Sequence, residues 1–113
     1  MDSFAFAFPV LPGKAEEARL WGKEVNGPRA SEMDASRRPL GVTREAVWLQ
    51  QTPQGEMCVV VLEGENVAEA NRRFAASTDP FDVWFKEACL EFSGVDFGQP
   101  IPAMPEPLYD FQA

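Results

Sequence analysis

The sequence contains no histidine and only two cysteines in 113 residues. Histidine is the commonest metal ligand and titrates near neutral pH. Its absence excludes histidine-based catalytic triads, imidazole metal sites and a histidine-ligated haem. Cys58 and Cys89 are separated in the chain without other soft ligands near them, and there is no glycine-rich phosphate loop. We therefore expect neither a metal nor a cofactor.

Basic residues are scarce in the second half of the chain. Residues 1–50 carry 7 basic and 7 acidic side chains, residues 51–113 carry 3 basic and 11 acidic ones, and the net charge is −8. A surface with this excess of negative charge repels phosphate backbones and anionic lipid headgroups. The charge predicts no nucleic-acid partner and no membrane partner, and it favours a solvated acidic face.

Long apolar runs are also lacking. No run approaches the ~18 apolar residues of a membrane span, and the opening "MDSFAFAFPVLPGK" has no basic region of the kind that begins a signal peptide. The two cysteines fall in the apolar runs "MCVVVL" and "EACLEF", which predict buried thiols rather than a disulfide framework. These features predict a cytoplasmic protein.

The residues that are present predict one folded domain over residues 1–113. Apolar residues make up 45% of the chain and charged residues 25%, as in globular proteins. Alternating and helical spacings predict strands at 3–10, 42–51 and 56–64 and helices at 11–25, 28–38, 67–77 and 80–92. Asn66 with Glu69, and Asp79 before Pro80, are typical helix starts, and Gly94 is a typical helix end.

The segment after Gly94 decides the predicted topology. Residues 94–106 form a proline-rich connection, whereas residues 107–112 of "PLYDFQA" alternate as an edge strand does. We expect a fourth strand at 107–112, paired within its own sheet or with another subunit. A loose tail, or a proline-rich ligand motif in "PAMP" at 102–105, is the alternative. The predicted fold class is α+β: a ferredoxin-like βαββαβ domain with a four-stranded antiparallel sheet.

Both sides of the predicted sheet are apolar. Strand 3–10 alternates phenylalanine with alanine, strand 56–64 is apolar on both sides, and strand 42–51 has Ala46 and Trp48 opposite Val47 and Leu49. Helices can cover one side, and the other would leave a large apolar patch in water. We expect a homodimer that pairs through this face of the sheet.

The chain also resembles a known group of proteins. The helix opening "LPGKAEEARLW" and the hairpin "GVTREAVWLQQTPQGEMCVVVLEG" are similar to the ferredoxin-like dimeric α/β-barrel superfamily, near its antibiotic-biosynthesis-monooxygenase-like, EthD-like and stress-responsive members. The stretches "NGPRASEMDASRRPLGVTREAVWLQQT" and "DPFDVWFKEACLEFSGVDFGQPIP" resemble an uncharacterised bacterial family within it. The resemblance implies pairing as a dimeric α/β barrel, but no assigned activity.

The resemblance also implies a pocket between sheet and helices for a small apolar or aromatic molecule. The candidate ligand-binding residues are Trp21, Arg44, Trp48, Gln50 and Trp84. Each has a structural alternative, since tryptophans often fill cores, Arg44 can pair with an acid and Gln50 precedes a turn. The lead hypothesis is a homodimer with this pocket and cofactor-free oxygenase or isomerase chemistry, its catalytic residues unassigned. The alternative is a non-catalytic module that binds a ligand or a protein.

One feature separates the two hypotheses. A cofactor-free enzyme needs a titratable group inside the pocket with a perturbed pKa, and Glu45 and Asp82 are the candidates. A binding module needs no such group.

Overall fold

The computed structural model describes residues 1–101 and 104–113, and this part of the chain has an α+β fold. Three strands form one antiparallel sheet, and the helices lie against one of its faces. The elements are β1 (Asp2–Pro9), α1 (Ala15–Asn26), α2 (Ala30–Arg37), a 3-10 turn (Arg38–Leu40), β2 (Val42–Thr52), β3 (Gly55–Gly64), α3 (Val67–Ala76) and α4 (Pro80–Ser93).

The sheet has the strand order β1-β3-β2, with β3 in the centre. Its register places Phe8 and Leu49 opposite Cys58, and Phe6 and Val47 opposite Val60. Since alternate residues of a strand point to opposite faces, these rows form the face that packs on the helices. The rows between them form a second face, which no element of the described residues covers, and which we call the open face. Its apolar centre consists of Ala5, Ala7, Ala46, Trp48, Met57, Val59 and Val61.

The helix boundaries follow the predicted capping signals. Asn66 accepts a hydrogen bond from the backbone N–H of Glu69 at the start of α3, and Asp79 accepts one from Phe81 at the start of α4. Gly94 ends α4 with φ 75°, a left-handed conformation that suits glycine. The predicted helix caps at Asn66, Asp79 and Gly94 are confirmed. Asp79 and Gly94 set the two ends of α4, whose apolar face packs on the sheet.

The fourth strand predicted at 107–112 is wrong. Those residues are described, and they form no strand: Leu108 and Tyr109 are each 90% exposed. The chain after Gly94 is instead held beside α3, because Asn71 accepts a hydrogen bond from the N–H of Ile101 at 3.0 Å. The segment therefore does not return along the sheet, and the described sheet has three strands instead of the four of a ferredoxin-like βαββαβ unit or of one half of a dimeric α/β barrel.

The "PAMP" motif lies partly outside the described residues, since 102 and 103 are not described, and the same gap interrupts the predicted connection 94–106. Within the described part of the chain, no helix is long and apolar enough to cross a membrane.

Candidate functional site

A small cavity lies between the sheet and the helices. Its volume is about 80 Å³, and every strand and helix contributes to its wall. Most of the lining side chains are apolar, and half of them are buried, because each helix turns its apolar stripe toward the sheet. The lining residues are Phe6, Phe8, Trp21, Arg37, Leu40, Val42, Glu45, Val47, Val60, Leu62, Ala70, Asn71, Phe74, Phe85, Cys89 and Phe97.

Val42 reaches the cavity because β2 begins with a bulge. The register shifts between Val42 and Arg44, so that Val42 pairs with Gly64 while Arg44 pairs with the adjacent Glu63. The extra residue breaks the alternation of the strand. The sequence pattern had placed Val42 and Arg44 on the same side, but Val42 lines the cavity and Arg44 does not.

A buried ion pair forms the polar part of the wall. Arg37, the last residue of α2, donates from Nε to Glu45 Oε1 at 2.8 Å and from Nη2 to Glu45 Oε2 at 3.1 Å. Its guanidinium also lies over the rings of Phe74 and Phe85, at 4.4 and 4.6 Å from their centroids. The bidentate geometry and the two aromatic rings fix the position of the guanidinium.

The ion pair continues into α4 through hydroxyl groups. Arg37 Nη1 donates to Ser36 Oγ at 2.7 Å, and Ser36 Oγ donates to Asp82 Oδ1 at 2.5 Å. The other oxygen, Asp82 Oδ2, accepts from Ser77 Oγ at 2.6 Å. Asp82 lies in the first turn of α4, where the helix dipole stabilises a carboxylate. The network therefore ties α2 and α4 to strand β2.

Trp21 carries a polar atom without a partner. The residue is 8% exposed and lines the cavity. Among the described residues, its Nε1–H is the one buried side-chain nitrogen or oxygen group that makes no hydrogen bond. Buried polar groups in native proteins are nearly always paired with protein, water or ligand. The Nε1–H of Trp21 is therefore an unsatisfied donor enclosed in the core.

Residues 95–101 form a strap beside the cavity. Phe97 lines the cavity and packs edge-on against Phe8, with 5.0 Å between ring centroids. The N–H of Ile101 donates to Asn71, another lining residue, which ties the far end of the strap to α3. The strap is thus attached to the core at Phe97 and to α3 at Ile101.

Of the five predicted ligand-binding residues, Trp21 alone lines this cavity. Trp84 is partly buried at the edge of the core, where Arg29 lies over its ring at 4.3 Å from the centroid. Trp84 therefore has the role of a packing residue, as its structural alternative proposed.

The other three predicted residues belong to the open face, on the opposite side of the sheet. Arg44 Nη1 lies 3.4 Å from Glu63 Oε2, an exposed ion pair of the kind expected for it. Gln50 Nε2 donates to the carbonyl of Gln51 at the turn. Trp48 is 51% exposed. The structure does not bring these three residues together with Trp21.

Sequence reasoning missed Arg37, Asn71 and Phe74. One signal for Arg37 was available, because Met33 and Arg37 are four residues apart and thus share a face of α2. Phe74 could have been assigned to the inward face of α3 with Ala70 by the same spacing. Nothing local in the sequence marks Asn71, whose role depends on the path of the distant Ile101.

The two cysteines are buried and unbridged among the described residues. Burial raises the pKa of the Cys58 thiol to about 11. Burial also raises the pKa of Cys89, with smaller contributions from Cys58 and Glu45. Thiols with raised pKa values are poor nucleophiles at neutral pH. Cys89 therefore contributes to the cavity wall as a small apolar side chain.

The described residues contain no group of three cysteine or acidic side chains placed to hold a metal ion. The candidate site is an apolar cavity whose wall contains one internally neutralised ion pair. No protein-family model, no curated protein and no solved structure matches this chain, so its family resemblance rests on the sequence stretches alone.

Proposed function

We propose that this protein binds a small apolar molecule in the cavity between its sheet and its helices. The observation that carries the proposal is an apolar cavity between the sheet and the helices, with a volume of about 80 Å³. Well-packed cores have few voids larger than a water molecule. An unfilled cavity forfeits packing energy, and a ligand that fills it recovers that energy.

The volume limits what can enter. An engineered apolar cavity of ~150 Å³ accepts benzene, and drug-sized pockets are typically ~300 Å³ or larger. A cavity of about 80 Å³ accepts a chain end or a compact group of a few heavy atoms. A larger ligand would place only one end between Trp21 and the sheet, with the remainder near the strap.

The arrangement of charges favours binding over catalysis. A general base must be free to accept a proton from a bound substrate. Both oxygens of Glu45 accept from Arg37, and both oxygens of Asp82 accept from serine hydroxyls. Using either carboxylate as a base would require breaking a buried network. Of the two hypotheses, we therefore choose the non-catalytic binding module.

Ala70 provides a direct test of the cavity. Its side chain is buried in α3 at the cavity wall, so Ala70→Leu adds three carbon atoms to the lining. Native mass spectrometry of the protein as purified should show a retained small molecule that the Ala70→Leu variant lacks. Ala76→Leu, an exposed change in the same helix outside this cavity, should retain it. Equal retention by both variants, or no retained mass in any form, would count against the cavity.

We further propose that the protein pairs with a second copy through the open face. Trp48 is half exposed on this face, beside Val59 of the central strand. Apolar side chains line the centre of all three strands. A contiguous apolar patch of this kind marks an interface in soluble proteins, and two-fold pairing closes it with one self-complementary surface.

The area of the open face limits how the pairing works. Three strands about 4.8 Å apart and about eight residues long at ~3.4 Å per residue make a face of roughly 400 Å². A stable interface buries about 800 Å² on each partner. The sheet therefore supplies part of the contact. Leu108, Tyr109 and Phe111 of the exposed C-terminal tail are suited to supply the rest.

The location of the protein completes the proposal. Cys58 and Cys89 are unbridged thiols, which suits a reducing compartment. We place the protein in the cytoplasm.

A further inference from the structure

We infer that the cavity accepts uncharged molecules and rejects ions, because Glu45 occupies from within the protein the place on Arg37 that a ligand carboxylate would otherwise take. This inference rests on the proposed cavity binding. It adds the class of molecule that the site rejects and the residue that causes the rejection. Removing the Glu45 side chain should turn the same wall into a site for small carboxylates.

The guanidinium of Arg37 has the surroundings of an anion site. It lies 4.4 and 4.6 Å from the ring centroids of Phe74 and Phe85, and the side chain is only 9% exposed. A guanidinium that is held in place and shielded from water binds a carboxylate through two parallel hydrogen bonds. Arg37 would therefore suit an anionic ligand if its donors were free.

Glu45 already fills this position. Arg37 Nε and Nη2 donate to the two oxygens of Glu45 at 2.8 and 3.1 Å, and the third nitrogen, Nη1, donates to Ser36 Oγ at 2.7 Å. A ligand anion would have to displace Glu45, and a ligand cation would have to displace Arg37. In either case the displaced side chain would lose the partner that compensates its charge.

An ion gains no other charged partner from the wall. Arg37 and Glu45 are the charged residues among the described cavity lining, and most of the other lining side chains are apolar. An ion that entered would give up its hydration without compensation. An uncharged molecule has far less hydration to lose.

The position of Glu45 is also accessible once its side chain is removed. Arg37, Val42 and Glu45 line the cavity, and the same three residues line an open groove on the protein surface. Glu45→Ala therefore leaves space beside the guanidinium that a small carboxylate can reach from the groove.

Two pairs of isosteric probes separate charge from shape. Nitromethane and acetate each join a methyl group to a planar group with two oxygens, but acetate alone is an anion at pH 7. Isobutane and the trimethylammonium ion differ in the same way, with the ion carrying a positive charge. Each probe is titrated into ¹³C-methyl-labelled protein while NMR follows the methyl signals of Val42, Val47 and Val60, which line the cavity.

We expect nitromethane and isobutane to shift these signals in the wild type, and acetate and trimethylammonium to leave them unchanged. Acetate should bind Glu45→Ala at least about tenfold more tightly than the wild type, the amount that a hydrogen bond to a charged group contributes. Glu63→Ala is the matched control, because it removes the carboxylate of the exposed pair with Arg44 on the open face. This variant should bind acetate as weakly as the wild type does.

Glu45→Ala leaves the charge of Arg37 uncompensated and can fail to fold in plain buffer. In that case acetate, which supplies the missing anion to the folded state, should restore folding by mass action, and nitromethane should not. Failure of acetate to restore folding would overturn the role assigned to Glu45.

The two proposals fail in different ways. If none of the four probes shifts the signals of the cavity lining, the proposed binding function is overturned, and this inference with it. If acetate shifts them as strongly as nitromethane, or trimethylammonium as strongly as isobutane, cavity binding stands and the rejection of ions is overturned. If folded Glu45→Ala binds acetate no better than Glu63→Ala, Glu45 is not the residue that selects against anions.

Discussion

At the scale of single residues, Arg37 organises the polar side of the cavity. The side chains of Arg37 and Glu45 are only 9% and 13% exposed, and the guanidinium also reaches Ser36 and approaches Asp82 Oδ1 at 3.7 Å. A buried pair contributes little net stability compared with apolar residues of the same volume. Removing one partner, however, leaves a buried charge uncompensated.

We therefore predict that Arg37→Met lowers the free energy of unfolding by about 3–5 kcal/mol. The double variant Arg37→Met/Glu45→Leu should recover most of this loss, because it also removes the stranded carboxylate. Chemical denaturation measures both. Arg38→Met is the matched control: its partner Asp34 is exposed, and a solvent-exposed pair contributes little to stability, so the loss should be much smaller than at position 37. Equal losses at positions 37 and 38 would contradict the assigned role of Arg37.

The buried thiols predict a pH dependence at the same scale. The pKa of Cys58 rises from 9.0 to about 11 on folding. Above pH 9 the unfolded thiol loses its proton while the folded one keeps it, so stability is complete below pH 9 and falls as pH rises toward 11. The slope is about 1.4 kcal/mol per pH unit for each thiol. Between pH 9 and 11, the free energy of unfolding measured by denaturation should fall less steeply with pH for Cys58→Ala than for the wild type. Identical slopes would show that the Cys58 thiol does not contribute to the pH dependence of stability.

At the scale of elements, the junction between β2 and β3 depends on close backbone packing. A Cβ atom on Gly64 would lie 2.7 Å from the carbonyl oxygen of Gly41 and 3.2 Å from the Cα of Val42. Both neighbours are backbone atoms, which cannot turn aside as a flexible side chain can. The bulge that brings Val42 to the cavity begins at this contact.

Gly64→Ala should therefore destabilise the protein by about 1–3 kcal/mol. The matched control is Gly22→Ala in α1, where a Cβ atom meets no other atom within 4 Å. That change should stabilise by about 0.5–1 kcal/mol, because alanine loses less conformational freedom in a helix. Thermal unfolding should show a lower midpoint temperature than the wild type for Gly64→Ala and a higher one for Gly22→Ala. If Gly64→Ala is as stable as the wild type, the two strands can move apart to accommodate the added Cβ atom without loss of stability.

Local signals in the sequence predicted most of the elements. The hairpin at 42–51 and 56–64 is confirmed by β2 and β3, and the caps at Asn66 and Asp79 are confirmed by their hydrogen bonds. These features depend on neighbours within a few residues of the chain. The path after Gly94 depends on distant contacts with Phe8 and Asn71, so alternation in "PLYDFQA" was insufficient evidence for a strand.

The candidate site was less predictable than the fold for the same reason. Trp21 was identified from its residue type and its helical face. Arg44, Trp48 and Gln50 were assigned to a pocket although alternation places them on the open face with Ala46. The spacing from Met33 marks the inward side of α2 at Arg37, but the partner of Arg37 is found only by knowing that the end of α2 meets Glu45. Cavities are products of long-range packing, and residue type alone does not locate them.

At the scale of the whole molecule, the open face predicts assembly. Trp48→Glu places a charge at the centre of this face, where a second copy would desolvate it. We expect the wild type to sediment as a dimer and Trp48→Glu as a monomer in analytical ultracentrifugation. Leu20→Glu, an equally exposed apolar position on α1, should stay dimeric. A monomeric wild type would refute pairing through the open face.

Binding of an apolar molecule in the cavity can be tested with xenon. Xenon binds apolar cavities without needing hydrogen bonds, so its position in a pressurised crystal reports the cavity alone. We expect strong xenon density among Phe8, Trp21 and Val60, residues that line the cavity from three different elements. A crystal in which this position holds no xenon would show that side chains close the space and that the cavity binds no apolar molecule.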